Sequence, residues 1–286
     1  MLYFIIPQMK TENKRPKLIV IVGPTASGKT ALSLKLALRL RSGQAKKWNV
    51  EIISADSRAI YKGLDIGSAK PSYAERKVVP HHLIDVVEPN KTLTLAQYQN
   101  LAMAKIHDIA SRQAVPFLVG GTALYIYAVI DNWQIPEVPP NKKLHAKLEK
   151  QPTEKLFAQL IKKDPKAKNF IDPQNKRRII RALEVIATTK KPFSSQRKKG
   201  EPLFDILILG IKRTPHQLKK LIASRTDKML KAGLVKEVAG LLKKKYPSES
   251  QGSTLGPVLR SNLGALSGIH YKEIISYLKK ETTLPE

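Results

Sequence analysis

There is no cysteine among the 286 residues, so neither a disulfide framework nor a thiolate metal site is available. Long apolar runs are absent too. A stretch such as ILILGI falls far short of the roughly 20 residues that a membrane-spanning helix needs. The opening MLYFII is apolar but lacks a basic leader and an adequate hydrophobic core, which argues against a secretory signal. Met9 offers an alternative start that would make the first eight residues incidental. No internal repeat is visible. A cytoplasmic protein without membrane attachment is the expectation. Acidic side chains are also scarce: 23 Asp and Glu stand against 51 Lys and Arg, for a net charge of +28. An excess of this size sets up a positive field that draws polyanions. It far exceeds the roughly 2–8 charges that serve solubility in a small domain, so nucleic acid is favoured over lysine used merely for solubility. With 42% apolar and 26% charged residues the chain is a folded globular protein, not a disordered one.

What is present is an alternation of apolar runs and helical patterns. LIVIV (18–22), VEIISADS (50–57), HHLIDVV (81–87), VPFLVGGT (115–122) and DILILGI (205–211) read as buried parallel strands. Helical patterns occupy 30–40, 95–112 and about 216–245. The stretch 136–199 breaks the alternation. It opens on the proline-marked QIPEVPP and then reads as helices with no convincing strand. Between positions 141 and 191 it carries 15 basic and 5 acidic residues. The expected organisation is a core at 17–135, a basic helical insertion at 136–199, and a second core part at 200–286 with a flexible Gly/Ser/Pro loop at 248–263.

One motif carries specific chemistry. Gly23-Pro24-Thr25-Ala26-Ser27-Gly28-Lys29-Thr30 satisfies the P-loop pattern, with a strand before it and a helix after it. Its glycines let backbone N–H groups converge on phosphate oxygens. Lys29 adds a point charge and Thr30 a hydroxyl for Mg²⁺. The fold class is therefore α/β, a P-loop NTPase-like parallel sheet with helices on both faces and an inserted basic helical subdomain. A nucleotide hydrolase adds a metal-holding acid at the end of a buried strand. Here FLVGGT ends in Gly120-Gly121-Thr122, and Asp85 sits in the middle of LIDVV. Asp56, closing EIISAD, is better placed to face the P-loop. It is suited to take a proton from an acceptor or to ligate the metal through water, a reading favoured over an Asp that merely caps the following helix. Thr122 follows two glycines where a hydroxyl can reach a ligand; alone, that is more often a turn. Arg181 lies three and four residues after Arg178 and Arg177, on a polar side opposed to an apolar stripe. Such a face suits phosphate oxygens, or is a solvated surface with Glu184 as internal partner. His81 and His82 have no third ligand nearby and read as structural.

With GPTASGKT, ISADSRAIYKGLDIGSAKP, PHHLIDVVEP, FLVGGTALY, RRIIRALEV and GIHYKEIISYL in this order over most of 17–280, the chain resembles the bacterial tRNA dimethylallyltransferases, adenosine prenyltransferases of the P-loop superfamily. The resemblance implies transfer of a dimethylallyl group from dimethylallyl diphosphate to N6 of adenosine 37, in tRNAs that read codons beginning with U. It implies diphosphate on residues 23–30 with Mg²⁺ on Thr30, and Asp56 as general base. Asp56, Lys29, Thr122 and Arg181 would be catalytic. Asp56, Ser57, Arg58 and Ala59 would border the acceptor. Thr122, His145, Arg177, Arg178, Ile179, Ile180, Arg181, Tyr271 and Lys272 would contact the anticodon stem-loop of the tRNA. A monomer without membrane attachment is expected.

Three departures accompany the match. His145 stands where the family has Arg, and His270 replaces the glycine of its Ile-Gly-Tyr-Lys motif. Both imply altered tRNA contacts. The family also continues, beyond a stop such as Glu286, through a basic helix ending in Gln-x-Thr-Trp; either this lineage dispenses with that helix, or the sequence is truncated and tRNA affinity is reduced. Three rivals keep the same cradle: a small-molecule or nucleotide kinase using ATP, a prenyltransferase acting on free adenine nucleotides, and an RNA-binding relative without turnover. The first two have little use for a basic insertion; the intact Gly23, Lys29, Thr30 and Asp56 count against the third, while the missing tail counts for it.

Overall fold

A computed structural model describes residues 2–5, 15–42, 48–136, 138–139, 141–196, 198–244, 264–267 and 269–282. The expected flexible loop at 248–263 and the alternative start Met9 lie outside these, as does the side chain of His270. The described residues form two compact units, 1–130 with 203–286, and 131–202.

In the larger unit, strands β1 (Leu2–Ile5), β2 (Lys17–Val22), β3 (Val50–Ala55), β4 (His81–His82), β5 (Val115–Gly120) and β8 (Asp205–Ile211) form one sheet in the order β1-β8-β2-β5-β3-β4. The five strands from β8 to β4 run parallel. All six residues of β3 and of β5 are buried, as expected for strands covered on both faces. The period of two sorts the core. Leu18, Val20, Ile53 and Leu118 face helices α3 (Leu95–Ser111), α4 (Ala123–Ile130), α9 (Leu234–Lys243) and α10 (Ile269–Leu278). Ile21, Ile52 and Phe117 turn the other way, with Ala37 of helix α1 (Lys29–Arg41).

Three expectations change. Leu2–Ile5, which a start at Met9 would have made incidental, adds an antiparallel edge strand to β8. The strand expected over 81–87 ends at His82, because Leu83 and Asp85 adopt positive φ angles of 58° and 59°. Asp85 is thus no mid-strand acid; it pairs with Arg76 at 3.1 Å and with Lys70. The helical stretch over 216–245 breaks into α8 (Pro215–Lys231) and α9 at Gly233, whose φ of 101° suits glycine.

The smaller unit packs α5 (Lys142–Glu149), α6 (Thr153–Lys163) and α7 (Lys176–Thr189) around Leu148, Leu156, Leu160, Ile179, Ile180 and Leu183. Its limits are 131 and 202, where the sequence suggested 136 and 199. It also contains strands the sequence did not suggest, the antiparallel ribbon of β6 (Trp133–Gln134) and β7 (Lys198–Lys199). Strands of two residues leave no periodicity to read. No helix among the described residues is long and apolar enough to cross a membrane.

Candidate active site

The loop from β2 to α1 is shaped around its backbone. Gly28 takes φ 99° and Ala26 φ 60°, the left-handed turns that bring the chain round to the start of α1. No side chain caps that helix and no acid lies in its first turn, so its terminal N–H groups suit an anion. A Cβ on Gly23 would lie 2.8 Å from Ser27 Oγ, a buried hydroxyl with no partner among the described residues. Pro24 and Thr25 are exposed and Thr30 is half-buried. The Lys29 ammonium donates to the carbonyls of Gly23 at 2.9 Å and Pro24 at 2.8 Å, resting on its own loop. Burial lowers its pKa, the Asp56 carboxylate pushes back, and Arg225 adds to the fall.

Opposite this loop, the ends of β3 and β5 are tied together. A Cβ on Gly120 would stand 2.1 Å from Ala55 O, so only glycine permits the approach. The Thr122 N–H donates to Ala55 O at 3.1 Å, and the Ser57 N–H donates to Thr122 Oγ1 at 3.0 Å. Thr122 therefore fixes the backbone beside Asp56. Asp56 Oδ1 accepts from the N–H groups of Arg58 at 2.8 Å and Ala59 at 3.3 Å, so the capping role weighed against catalysis is present as well. The two are compatible, since Asp56 also acts electrostatically on Lys29 and Arg225. A Cβ on Gly121 would lie 3.6 Å from Lys29 Nζ, which brings the β5 end against the P-loop. Behind Asp56, Tyr98 and Tyr125 stack with ring centroids 3.7 Å apart. Burial holds both phenols neutral, pushing Tyr125 up to about 12.

Arg225 of α8 escaped the sequence reading. Its Nε is buried with no partner among the described residues; burial lowers its pKa and Asp56 raises it. An arginine on a lysine-rich helix has no spacing that marks it. Arg213, just past β8, reaches Ser27 O at 3.4 Å and was also missed. Its only signal was its place at the carboxyl end of a parallel strand.

The stretch IYKGLDIGSAKP proves to be architecture. Glu237 accepts from the N–H groups of Asp65 at 2.8 Å, Ile66 at 2.6 Å and Gly67 at 3.1 Å, and from the Tyr271 hydroxyl at 3.1 Å. Tyr271 is 2% exposed and presses on Gly67, so its expected RNA contact is corrected to a packing role. Lys272 beside it is exposed. The Ala59 methyl is buried, and Arg58 Nη1 donates to Ala265 O at 3.2 Å. His82 bonds Glu51 at 2.6 Å and His81 bonds Val79 O at 2.7 Å.

Within the smaller unit, Arg177 and Arg178 are exposed. Ile179 and Ile180 are fully buried in its core; their grouping with the RNA-contacting arginines is corrected, because their side chains face inward. Arg181 donates to Val138 O at 2.8 Å and pairs with buried Glu184 at 3.5 Å. His145 Nδ1 meets the other Glu184 oxygen at 2.9 Å. Glu184 is thus the internal partner weighed for this face.

Among the described residues no three acids or histidines converge as a metal cage. The oxygens at hand are the Thr30 hydroxyl and the Asp56 carboxylate. That donor set fits Mg²⁺, which keeps most of its shell for water and ligand phosphates.

Residues 59–286 match the family model described as IPP transferase. A tRNA dimethylallyltransferase of Roseiflexus sp. (strain RS-1) is 44% identical over 273 residues, 94% of this chain and 83% of that protein. The structure of a full-length tRNA isopentenylpyrophosphate transferase from Bacillus halodurans matches with a TM-score of 0.62 at 34% identity, over 94% of this chain and 80% of that one. A eukaryotic dimethylallyltransferase acting on tRNA matches with a TM-score of 0.73 at 28% identity, over 93% of this chain and 64% of that one. On sequence and fold together, the chain belongs to the IPP transferase family.

Proposed function

We propose that the protein transfers a dimethylallyl group from dimethylallyl diphosphate to N6 of adenosine 37 in tRNAs that read codons beginning with U. The observation that carries this reading is the Asp56 carboxylate acting on both Lys29 and Arg225, beside a β5 that ends in Gly120-Gly121 rather than in an acid. A carboxylate between an acceptor and a phosphate cradle suits proton removal from a nucleophile. It does not suit activation of water against a γ-phosphate.

The N6 lone pair bonds to C1 of the prenyl group, the C1–O bond breaks, and its electron pair leaves on diphosphate. Asp56 takes the N6 proton. Loop amides, Lys29 and Arg225 hold the departing diphosphate and neutralise its developing charge. Mg²⁺, held by the Thr30 hydroxyl, supplies further neutralisation when bound. Thr122 positions the 56–59 turn through its bond to Ser57. Holding the acceptor against C1 supplies the orientation that a weak amine nucleophile needs.

The smaller unit is the proposed anticodon-stem clamp. Its 141–191 stretch carries 15 basic against 5 acidic residues, with Arg177, Arg178 and Arg181 as phosphate contacts. Those contacts help offset the few kcal/mol needed to draw a base from its stack. Action as a monomer is part of the same proposal.

The test is incubation with labelled dimethylallyl diphosphate, Mg²⁺ and unmodified tRNA, with AMP and ATP as controls. Label in tRNA alone is the expected result. Label in AMP, or phosphate transferred from ATP, overturns the reading.

A further inference from the structure

In the larger unit, a cavity of about 570 Å³ opens between the 65–76 segment and the second half of α8. Its volume falls within the roughly 300–1,000 Å³ usual for small-ligand sites, and of its lining only Arg225 takes part in the steps above. Ile66 and Met229 give it an apolar surface, and one stripe of α8, Arg225, Lys228, Met229 and Ala232, lines one side. Two acids also line it, but both are spent on neighbours. Asp65 pairs with Lys70 at 2.8 Å, and Asp85 pairs with Lys70 and with Arg76. What remains is cationic: Lys228, with Arg225 of the diphosphate site at the border. On the same lining stands Tyr73, 75% exposed against 50% for Tyr127 and 37% for Tyr277, with the Lys77 ammonium 4.6 Å from its ring centroid.

An exposed aromatic ring, an apolar surface and a free cation are the parts from which single-stranded nucleic acid sites are built. Bases stack on the ring while cations follow the backbone. Arg225 lines this cavity and also interacts with Lys29 and Asp56, so the cavity borders the reaction centre through one side chain. A nucleotide drawn from its stack leaves neighbours that have lost a stacking partner. We infer that this cavity receives a nucleotide adjacent to the acceptor adenosine, its base on Tyr73 and its phosphate on Lys228. The inference rests on RNA being the acceptor.

The experiment uses an anticodon stem-loop and versions in which each loop nucleotide beside the acceptor is made abasic in turn. Tyr73→Ala is expected to raise KM for the intact stem-loop about ten-fold, with donor KM and the unfolding midpoint unchanged. On one abasic version, wild type and Tyr73→Ala should become equal. Lys228→Ala should raise the same KM and lower its salt dependence by about 0.7 in logarithmic slope. The inference is overturned if neither substitution alters KM for RNA, if the Tyr73 effect persists on every abasic version, or if donor KM rises instead. Should wild type label no RNA at all, the proposed function falls separately. Equilibrium binding of the same stem-loops to wild type and Tyr73→Ala then decides the cavity.

Discussion

Asp56 holds two roles at once, a cap on the 56–59 turn and the candidate base, and one substitution separates them. An asparagine keeps an Oδ1 that can accept from the Arg58 and Ala59 N–H groups but cannot take a proton. Asp56→Asn is predicted to lower kcat by about 10²–10⁴ while tRNA affinity stays near wild type. Single-turnover rates and filter binding on one preparation check it; equal losses in both would assign Asp56 to structure alone. Gly23, Lys29 and Thr30 were legible because phosphate chemistry fixes their spacing, and Asp56 and Thr122 because each closes a strand at the same edge of the sheet. Arg225 was not, since its meaning lies in what α8 packs beside. Tyr271, Ile179 and Ile180 show the opposite failure. They lie within motifs that the resemblance assigns to RNA contact, yet burial assigns their side chains to the core, and no spacing rule reports burial at a single position.

At the level of elements, continuous apolar runs revealed β2, β3, β5 and β8, because parallel strands covered on both faces need no alternation. The same signal overextended β4, where HHLIDVV is apolar enough but Lys70 and Arg76 hold Asp85 in a non-strand conformation. Ribbon strands β6 and β7 lie below any pattern's reach. The 61–71 segment is the element with most at stake, since Glu237 of α9 gathers three of its N–H groups. A methyl on Gly67 would meet Tyr271 Oη at 2.5 Å. Gly67→Ala is therefore predicted to destabilise the protein by about 1–3 kcal/mol, read as a lower urea midpoint. An unchanged midpoint would mean that α10 yields easily.

Over the whole molecule, a charge of +28 makes acid the weak flank, because each neutralised carboxylate adds to self-repulsion. Glu51 marks one place where that matters. The Arg112 guanidinium, then His82, hold its carboxyl below the ordinary range although burial opposes them. A depressed folded pKa gives stability that is present above the unfolded value of about 4.3 and lost as pH falls through the folded one. The gap in urea midpoint between wild type and Glu51→Gln is thus predicted to be full at pH 7 and to shrink towards pH 3. A gap independent of pH would remove the ionised carboxylate from the explanation. Gly120 bears on the molecule differently. Because a side chain there would strike Ala55 O, the roots of the Asp56 turn and the Thr122 turn are effectively one piece. Asp56, the proposed base, and Thr122 must then shift together or not at all. A lineage seeking a new acceptor inherits them as a single unit of change, and is left to vary the surrounding loops.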